Sequence, residues 1–375
     1  MERKGNLDNI LLREELGLHG AINTPVYLSS IFGFPSVEEA AGAFSGENNS
    51  FVYSRVNNPT TDVFEKKMAE LEEGKKGFAF ASGMAAIFAV ILTTCKPGDK
   101  ILCVSEVYGG THQLLKTVVK NLGIEVITFA PDFSYFPGVD DNVKLVFTET
   151  PTNPSLHTVD LDHLKKMVGY NFKNAYICID NTFATPMFQL PISQIGADFV
   201  LHSVTKYISG HSDLVGGVVV CSDTELIKEM SNIRTTTGGI MSPFTAYLCI
   251  RGLKTFAVRM HRHHVNSQAL VDVFLENLKH VKDVKYPGFG GMLSVEFKSR
   301  ELARKFAENL EGPTIAVSLG GTETLINVPA LMTHSTYSDE ALKAIGLSPG
   351  LVRISTGIEH PVELANEFKT ALDKL

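Results

Sequence analysis

Six short, almost continuously apolar runs punctuate the chain between Asp62 and Ser222: Gly77–Phe80, Lys100–Val104, Ile124–Phe129, Lys144–Thr148, Ala175–Ile179 and Asp198–Leu201. They are rich in branched residues and too short for helices, so they predict strands buried on both faces. Helical spacing of apolar positions fills the intervals, and buried strands alternating with crossover helices predict a mostly parallel sheet. Pro243 opens a long helical stretch reaching to about Leu278, and a smaller strand-and-helix segment follows, closed by an amphipathic helix over Pro361–Leu375. Before Asp62 the pattern is irregular and rich in Asn, Ser and Gly. The expected organisation is α/β, with an N-terminal arm (1–61), a large domain (62–245), and a long linking helix with a C-terminal domain (246–375). No internal repeat or low-complexity segment is evident.

Composition narrows the class. The 375 residues are 44% hydrophobic and 20% charged, with a formal net charge of -7, as for an ordinary folded soluble protein. The acidic balance argues against nucleic acid and against an anionic membrane surface as partners. No apolar run approaches the roughly 20 residues needed to span a bilayer, and Met1–Asn6 lacks the apolar core of a signal peptide. Five scattered cysteines form no CxxC pair; sitting mostly in apolar runs, they predict buried reduced thiols and a cytoplasmic location.

The chemistry gathers around Lys206. A lysine after an apolar strand is more often a solvated residue, but this one follows Ser203 and Thr205, and an open turn, Ile208–Asp213, comes after it. Two hydroxyls could hold a phosphate while the amine meets an aldehyde. One strand earlier, Tyr176–Ile179 runs into Asp180, a carboxylate at the edge where α/β sheets bind ligands. Alone, Asp180 reads equally well as a helix N-cap; beside Lys206 it reads as the acid that keeps a pyridine nitrogen protonated. The small-residue segment Ala81-Ser82-Gly83-Met84 opens a helix, where backbone N–H groups and the helix dipole favour an anion. A phosphate cradle, a pyridinium partner and a Schiff-base amine together point to a pyridoxal 5'-phosphate (PLP) enzyme.

These segments belong to a longer set: Tyr53-Ser54-Arg55 with Asn58-Pro59-Thr60, Tyr108-Gly109-Gly110-Thr111, Glu149-Thr150-Pro151-Thr152-Asn153-Pro154, Asp180-Asn181-Thr182-Phe183, Ser203 to Asp213, Ser318-Leu319-Gly320-Gly321, and Arg353-Ile354-Ser355 with Gly357-Ile358-Glu359. From about Gly20 onward the sequence resembles the Cys/Met-metabolism family of fold-type I PLP enzymes, which includes methionine γ-lyase, cystathionine γ-lyase, cystathionine γ-synthase and O-acetylhomoserine sulfhydrylase. The resemblance implies the fold-type I PLP-dependent transferase fold and a role for each matching residue. Lys206 would carry the cofactor and shuttle protons, and Asp180 would pair with the pyridinium. Ser82, Gly83, Met84, Ser203 and Thr205 would hold the phosphate, and Tyr108 would stack on the ring and act as acid or base. Asn153 would contact the ring hydroxyl side, and Arg353 would grip the substrate α-carboxylate as a fork, with Ser318 nearby. Tyr53 and Arg55 would reach the phosphate of a neighbouring subunit, implying a homo-oligomer with an active dimer, as in the tetramers common in the family.

The expected substrate is a small amino acid, and two positions bear on which one. Gln113 stands where the cystathionine enzymes are expected to carry an arginine, and Val317 where they tend to carry a glutamate. An uncharged distal pocket favours an apolar group, such as methylthio or acyl, over a zwitterionic one. Met332–Tyr337 also resembles methionine γ-lyase, whereas Gly110 and Arg234-Thr235 depart from its usual cysteine and Lys-Asp pair. The expected reaction is γ-elimination of L-methionine or related thioethers, with γ-replacement on an O-acylhomoserine as the alternative and a non-catalytic scaffold as a remote one. His261-Arg262-His263-His264 lacks the spacing of a zinc helix and reads as a solvated face, and Gly288–Gly291 reads as a turn between strands; no metal site is expected.

Overall fold

The computed structural model describes residues 7–13, 20–333, 335, 342 and 347–375; Met1–Asn6 and, within the Met332–Tyr337 stretch, His334, Thr336 and Tyr337 lie outside the described residues. The larger sheet has seven strands: β1 (Lys76–Phe80), β2 (Lys100–Val104), β3 (Glu125–Phe129), β4 (Val143–Glu149), β5 (Tyr176–Asp180), β6 (Phe199–His202) and β7 (Gly217–Cys221). Their order is β1-β7-β6-β5-β4-β2-β3. All neighbours are parallel except those of β7, which runs antiparallel to both β1 and β6.

Burial on both faces explains the apolar runs of β2, β4 and β5, whereas β3, expected to be covered in the same way, is an edge strand with Glu125 and Thr128 exposed. Ile101 and Cys103 of β2, Leu145 and Phe147 of β4, and Cys178 of β5 pack on one face with Ala86, Ile87 and Val90 of the helix Gly83–Thr94. Leu102 and Val104, Val146, and Ile177 and Ile179 pack on the other with Leu161, Leu164 and Val168 of the helix Leu161–Asn171. All five cysteines are buried free thiols; burial pushes those of Cys95 and Cys221 up to about 11, away from reactivity.

A second, five-stranded sheet comprises β8 (Val281–Lys285), β9 (Met292–Phe297), β10 (Thr314–Ile315), β11 (Leu325–Asn327) and β12 (Leu351–Ser355), in the order β10-β11-β12-β9-β8. It is mainly antiparallel and shares its core with the helices Phe256–Leu275, Arg300–Asn309 and Pro361–Asp373. Gly288–Gly291 is the turn between β8 and β9.

The helical stretch from Pro243 is two helices, Pro243–Leu253 and Phe256–Leu275. At the break one carbonyl takes more than one donor. Gly252 O accepts from the Thr255 N–H and from Arg259 Nη2 rather than continuing the helical ladder. The histidine segment within the second helix also differs from a solvated face. His263 is fully buried, its Nδ1 2.7 Å from Thr356 O, and burial lowers its pKa to about 4. The helix is wrapped by the second sheet on that side, which local spacing does not reveal. Among the described residues no three His, Cys, Asp or Glu side chains are grouped to hold a metal, and no helix is long and apolar enough to cross a membrane.

Candidate active site

The parallel strands end their C-terminal edges together, and the candidate residues collect there. Lys206 lies in the turn that leaves β6, a segment closed by backbone bonds from Lys206 N to Ser203 O and from Gly210 N to Lys206 O. Gly210 has φ +68, and any Cβ there would overlap the Arg259 guanidinium, so only glycine fits. Arg259, buried, donates to the carbonyls of Tyr207, Ile208 and Gly252 and braces the turn from beneath. The Lys206 amine is thereby held indoors: burial, and then the charge of Arg353, lower its pKa to about 8. Its Nζ donates to Ser318 Oγ at 2.6 Å.

Asp180 ends β5, buried. It is not a helix N-cap: Oδ1 accepts from the Thr182 N–H at 3.1 Å and hydroxyl at 2.5 Å. Burial raises its pKa, opposed by those bonds and by the nearby His202. Thr182 also accepts from the Ser203 N–H at 2.9 Å, tying Asp180 to the Lys206 turn. On the opposite face of the sheet, His202 Nε2 meets Glu72 Oε1 at 2.6 Å and Asn181 Nδ2 donates to the same oxygen.

Ser82 caps the helix Gly83–Thr94, its side chain accepting from Ala85 N. That hydroxyl is committed to its own helix, while the amides of Gly83 and Met84 lie in the first turn, where no intrahelical acceptor exists. A Cβ on Gly83 would stand 3.0 Å from Ser203 Cβ, so glycine allows the helix start and the Ser203 side chain to close on one spot. The Thr205 hydroxyl accepts from Gly216 N–H at 3.0 Å and lies 3.3 Å from its carbonyl.

The second sheet contributes the other wall. Arg353, on β12, donates through Nη1 to Asn153 Oδ1 at 2.9 Å and through Nη2 to Ser318 O at 3.0 Å. Among the described residues its hydrogen-bond partners are these neutral oxygens, and burial lowers its pKa, so an anion brought beside it would be stabilised. Tyr108 is half exposed and gives its N–H to Glu149 Oε2 at 2.8 Å. Gln113 is exposed one turn along the same helix, Gly109–Leu114, and Val317 is exposed beside Ser318.

Tyr53 and Arg55 stand apart. Arg55 packs on the Tyr53 ring, 5.3 Å to its centroid, and donates to Thr235 O at 2.6 Å. Among the described contacts neither reaches Lys206, Asp180 or Arg353 of the same chain. Arg234 points inward to a buried pair with Glu65. Glu149, Thr182 and Arg259 are the participants that sequence reasoning left out. Glu149 and Thr182 belong to the Glu149–Pro154 and Asp180–Phe183 segments, and the place of Glu149 at the end of an apolar run was the available signal; nothing local marks Arg259.

The donor set fits pyridoxal phosphate. It offers a buried amine of depressed basicity, a buried carboxylate whose hydrogen bonds occupy only one oxygen, and a glycine-opened helix start beside a serine. Comparison with known proteins agrees. The family described as Cys/Met metabolism PLP-dependent enzymes matches residues 11–373. An L-methionine gamma-lyase of Fusobacterium nucleatum subsp. nucleatum is 40% identical, over 96% of this chain and 95% of its own. The cystathionine gamma-synthase/O-acetylhomoserine (thiol)-lyase of Bacillus subtilis is 38% identical, over 94% and 92%. Among solved structures, metY of Campylobacter jejuni, which carries N'-pyridoxyl-lysine-5'-monophosphate, superposes with a TM-score of 0.89 at 28% identity, covering 98% of this chain and 100% of that one.

Proposed function

The chain belongs to the Cys/Met metabolism family of PLP-dependent enzymes, and from that premise we propose that it eliminates the γ-substituent of L-methionine or a related thioether, consuming one water and releasing 2-oxobutanoate, ammonia and a thiol. What supports this reading is the Lys206–Ser318–Arg353–Asn153 hydrogen-bond chain, together with the uncharged, exposed Gln113 on the helix that follows Tyr108 and Val317 next to Ser318 in the chain.

When bound, pyridoxal phosphate supplies an aldehyde for an amine and a protonated ring that disperses negative charge from the α-carbon. Lys206, Asp180, Gly83, Met84, Ser203 and Thr205 would hold it. Asp180 would keep its proton acceptor turned to the ring nitrogen, anchored at the other oxygen by Thr182. Arg353 would bind the substrate α-carboxylate, exchanging partners that are all neutral for one that is charged. Lys206, with its pKa lowered to about 8, has a neutral fraction near neutral pH and would take the α-proton, Ser318 orienting the amine. Tyr108, half exposed at the mouth, would deliver a proton to the departing sulfur. Gln113 and Val317 would leave the distal end without a charge, which disfavours a zwitterionic group.

Tyr53 and Arg55, whose described contacts are with each other and with Thr235 rather than with Lys206, would complete a neighbouring subunit's phosphate site, making the active unit a homodimer within a tetramer; the proposed location is cytoplasmic. A γ-replacement reaction on an O-acylhomoserine is a second reading, favoured by the 38% identity to the Bacillus subtilis enzyme. The test is a paired assay of the PLP-loaded protein. L-Methionine alone should give 2-oxobutanoate and methanethiol. Product formed only from O-acetylhomoserine with sulfide or cysteine would replace the elimination reading with the replacement one.

A further inference from the structure

Glu149 is the last residue of β4, 4% exposed, and its register partner on β5 is Asp180. Alternation along the strands puts Glu149 on the face of Phe147 and Asp180 on that of Cys178, the same face of the sheet. Two carboxylates thus stand side by side, buried, at the edge where the site lies. Burial and the charge of Asp180 push the Glu149 pKa well up, against the pull of the Tyr108 and Asn153 amides and of Arg353. A buried carboxylate in so unfavourable a place needs a compensating task.

Its contacts supply one. Oε2 accepts from the Tyr108 N–H at 2.8 Å, and the carboxylate also receives the Asn153 N–H. Asn153 in turn offers Oδ1 to Arg353, Arg353 donates to Ser318 O, and Ser318 Oγ receives the Lys206 amine. One carboxylate therefore links Tyr108 to the bonds that run from Lys206 through Ser318, Arg353 and Asn153. The helix Gly109–Leu114 has no side-chain cap; the N–H of Tyr108, the residue that precedes it, is held from β4.

We propose that Glu149 is a positioning residue that fixes Tyr108 on one side and Asn153, with Arg353, on the other, so that the groups facing cofactor and amino acid move as one frame. The inference rests on the reading that Tyr108 and Arg353 face cofactor and substrate, but not on which substituent leaves. Substrate carboxylate and ring nitrogen would enter between Arg353 and Asp180 into a cage whose walls are already registered by Glu149. Removing it frees two loops at once.

The test uses the full chain, with Glu149→Ala, Glu149→Gln, Tyr108→Ala and the double variant Glu149→Ala/Tyr108→Ala. The PLP dissociation constant is read by absorbance titration of apoprotein, and the apparent affinity for L-alanine by α-proton exchange in deuterated water. Alanine has no leaving group, so these readouts survive a failure of the methionine assay. Glu149→Ala should weaken both by about tenfold to hundredfold, as expected for losing a hydrogen-bonded charged partner. Glu149→Gln, which keeps the size and one acceptor oxygen, should lose about three- to tenfold and carries the test if the alanine variant does not fold. In the Tyr108→Ala background the backbone N–H that Glu149 holds remains but the ring it positions is gone, so the Glu149→Ala effect on PLP binding should shrink to less than about threefold. Wild-type values in the loaded variants, even with a lowered melting temperature, would make Glu149 merely structural and overturn the proposal. Fully additive effects with Tyr108→Ala would overturn it too.

Discussion

The Lys206 amine donates to the Ser318 hydroxyl at 2.6 Å, a bond between residues 112 positions apart that joins the turn after β6 to the loop preceding β11. Ser318 adopts φ 79, a left-handed backbone uncommon for serine, and its carbonyl is engaged by Arg353. Backbone held in this region by its surroundings often marks a working site.

Ser318→Ala removes the acceptor facing the amine but keeps the carbonyl that holds Arg353. Turnover should fall by about tenfold, the worth of one charge-assisted hydrogen bond, with KM little changed. Steady-state kinetics decide it: an unchanged kcat means the hydroxyl is idle.

Lys206→Ala should abolish turnover together with the borohydride-reducible attachment of the cofactor. Retained turnover would remove Lys206 from the centre of the chemistry.

The depressed Lys206 pKa sets a pH dependence. Burial disfavours the ammonium, so the folded group releases its proton near pH 8 rather than at the ordinary 10.5. The neutral amine is the nucleophile, so PLP capture by the apoprotein should accelerate up to about pH 8 and then level off. Between those values the unfolded chain binds the extra proton, so this group's contribution to apoprotein stability rises with pH. Stopped-flow capture that keeps accelerating to pH 10 would contradict the assignment.

Asp180→Asn replaces the carboxylate with a neutral amide of equal size. It should lower kcat by about a hundredfold or more, on the scale of losing a charged partner in a buried site. PLP should also dissociate more readily from the variant, measured by dialysis and absorbance. Full activity in Asp180→Asn would show that no anion is needed there.

Glu65 and Arg234 form a buried ion pair, and Glu65 also accepts from Ala79 N at 2.9 Å. Arg234→Met should destabilise the fold by about 3 kcal/mol, because a buried carboxylate loses its main partner, with Lys76 at 3.4 Å giving partial relief. Adding Glu65→Gln should restore part of the loss. Thermal melts of the apoproteins test both steps, and a single variant that melts like wild type would refute the pairing's importance.

Local pattern determined much of this protein. Apolar runs without alternation announced strands covered on both sides, because each face of β2, β4 and β5 packs on its own cluster. The hydroxyl-flanked Lys206, the strand-ending Asp180 and the Ser82-Gly83 helix start could be picked out because their chemistry is written in consecutive residues. Strand direction is not written there: β7 was not singled out, and β1 turned out antiparallel to it, since pairing partners are chosen by topology. Likewise, the stretch from Pro243 is two helices, with Arg259 reaching back to Gly252 O at the break, a contact local pattern does not show. The burial of His263 depended on a sheet that forms later in the chain. The sequence by itself determined which side chains could do chemistry. Only the tertiary structure decided which of them meet, bringing Glu149 beside Asp180 and Lys206 to Ser318, because those encounters depend on strand register and domain packing between segments far apart in the chain.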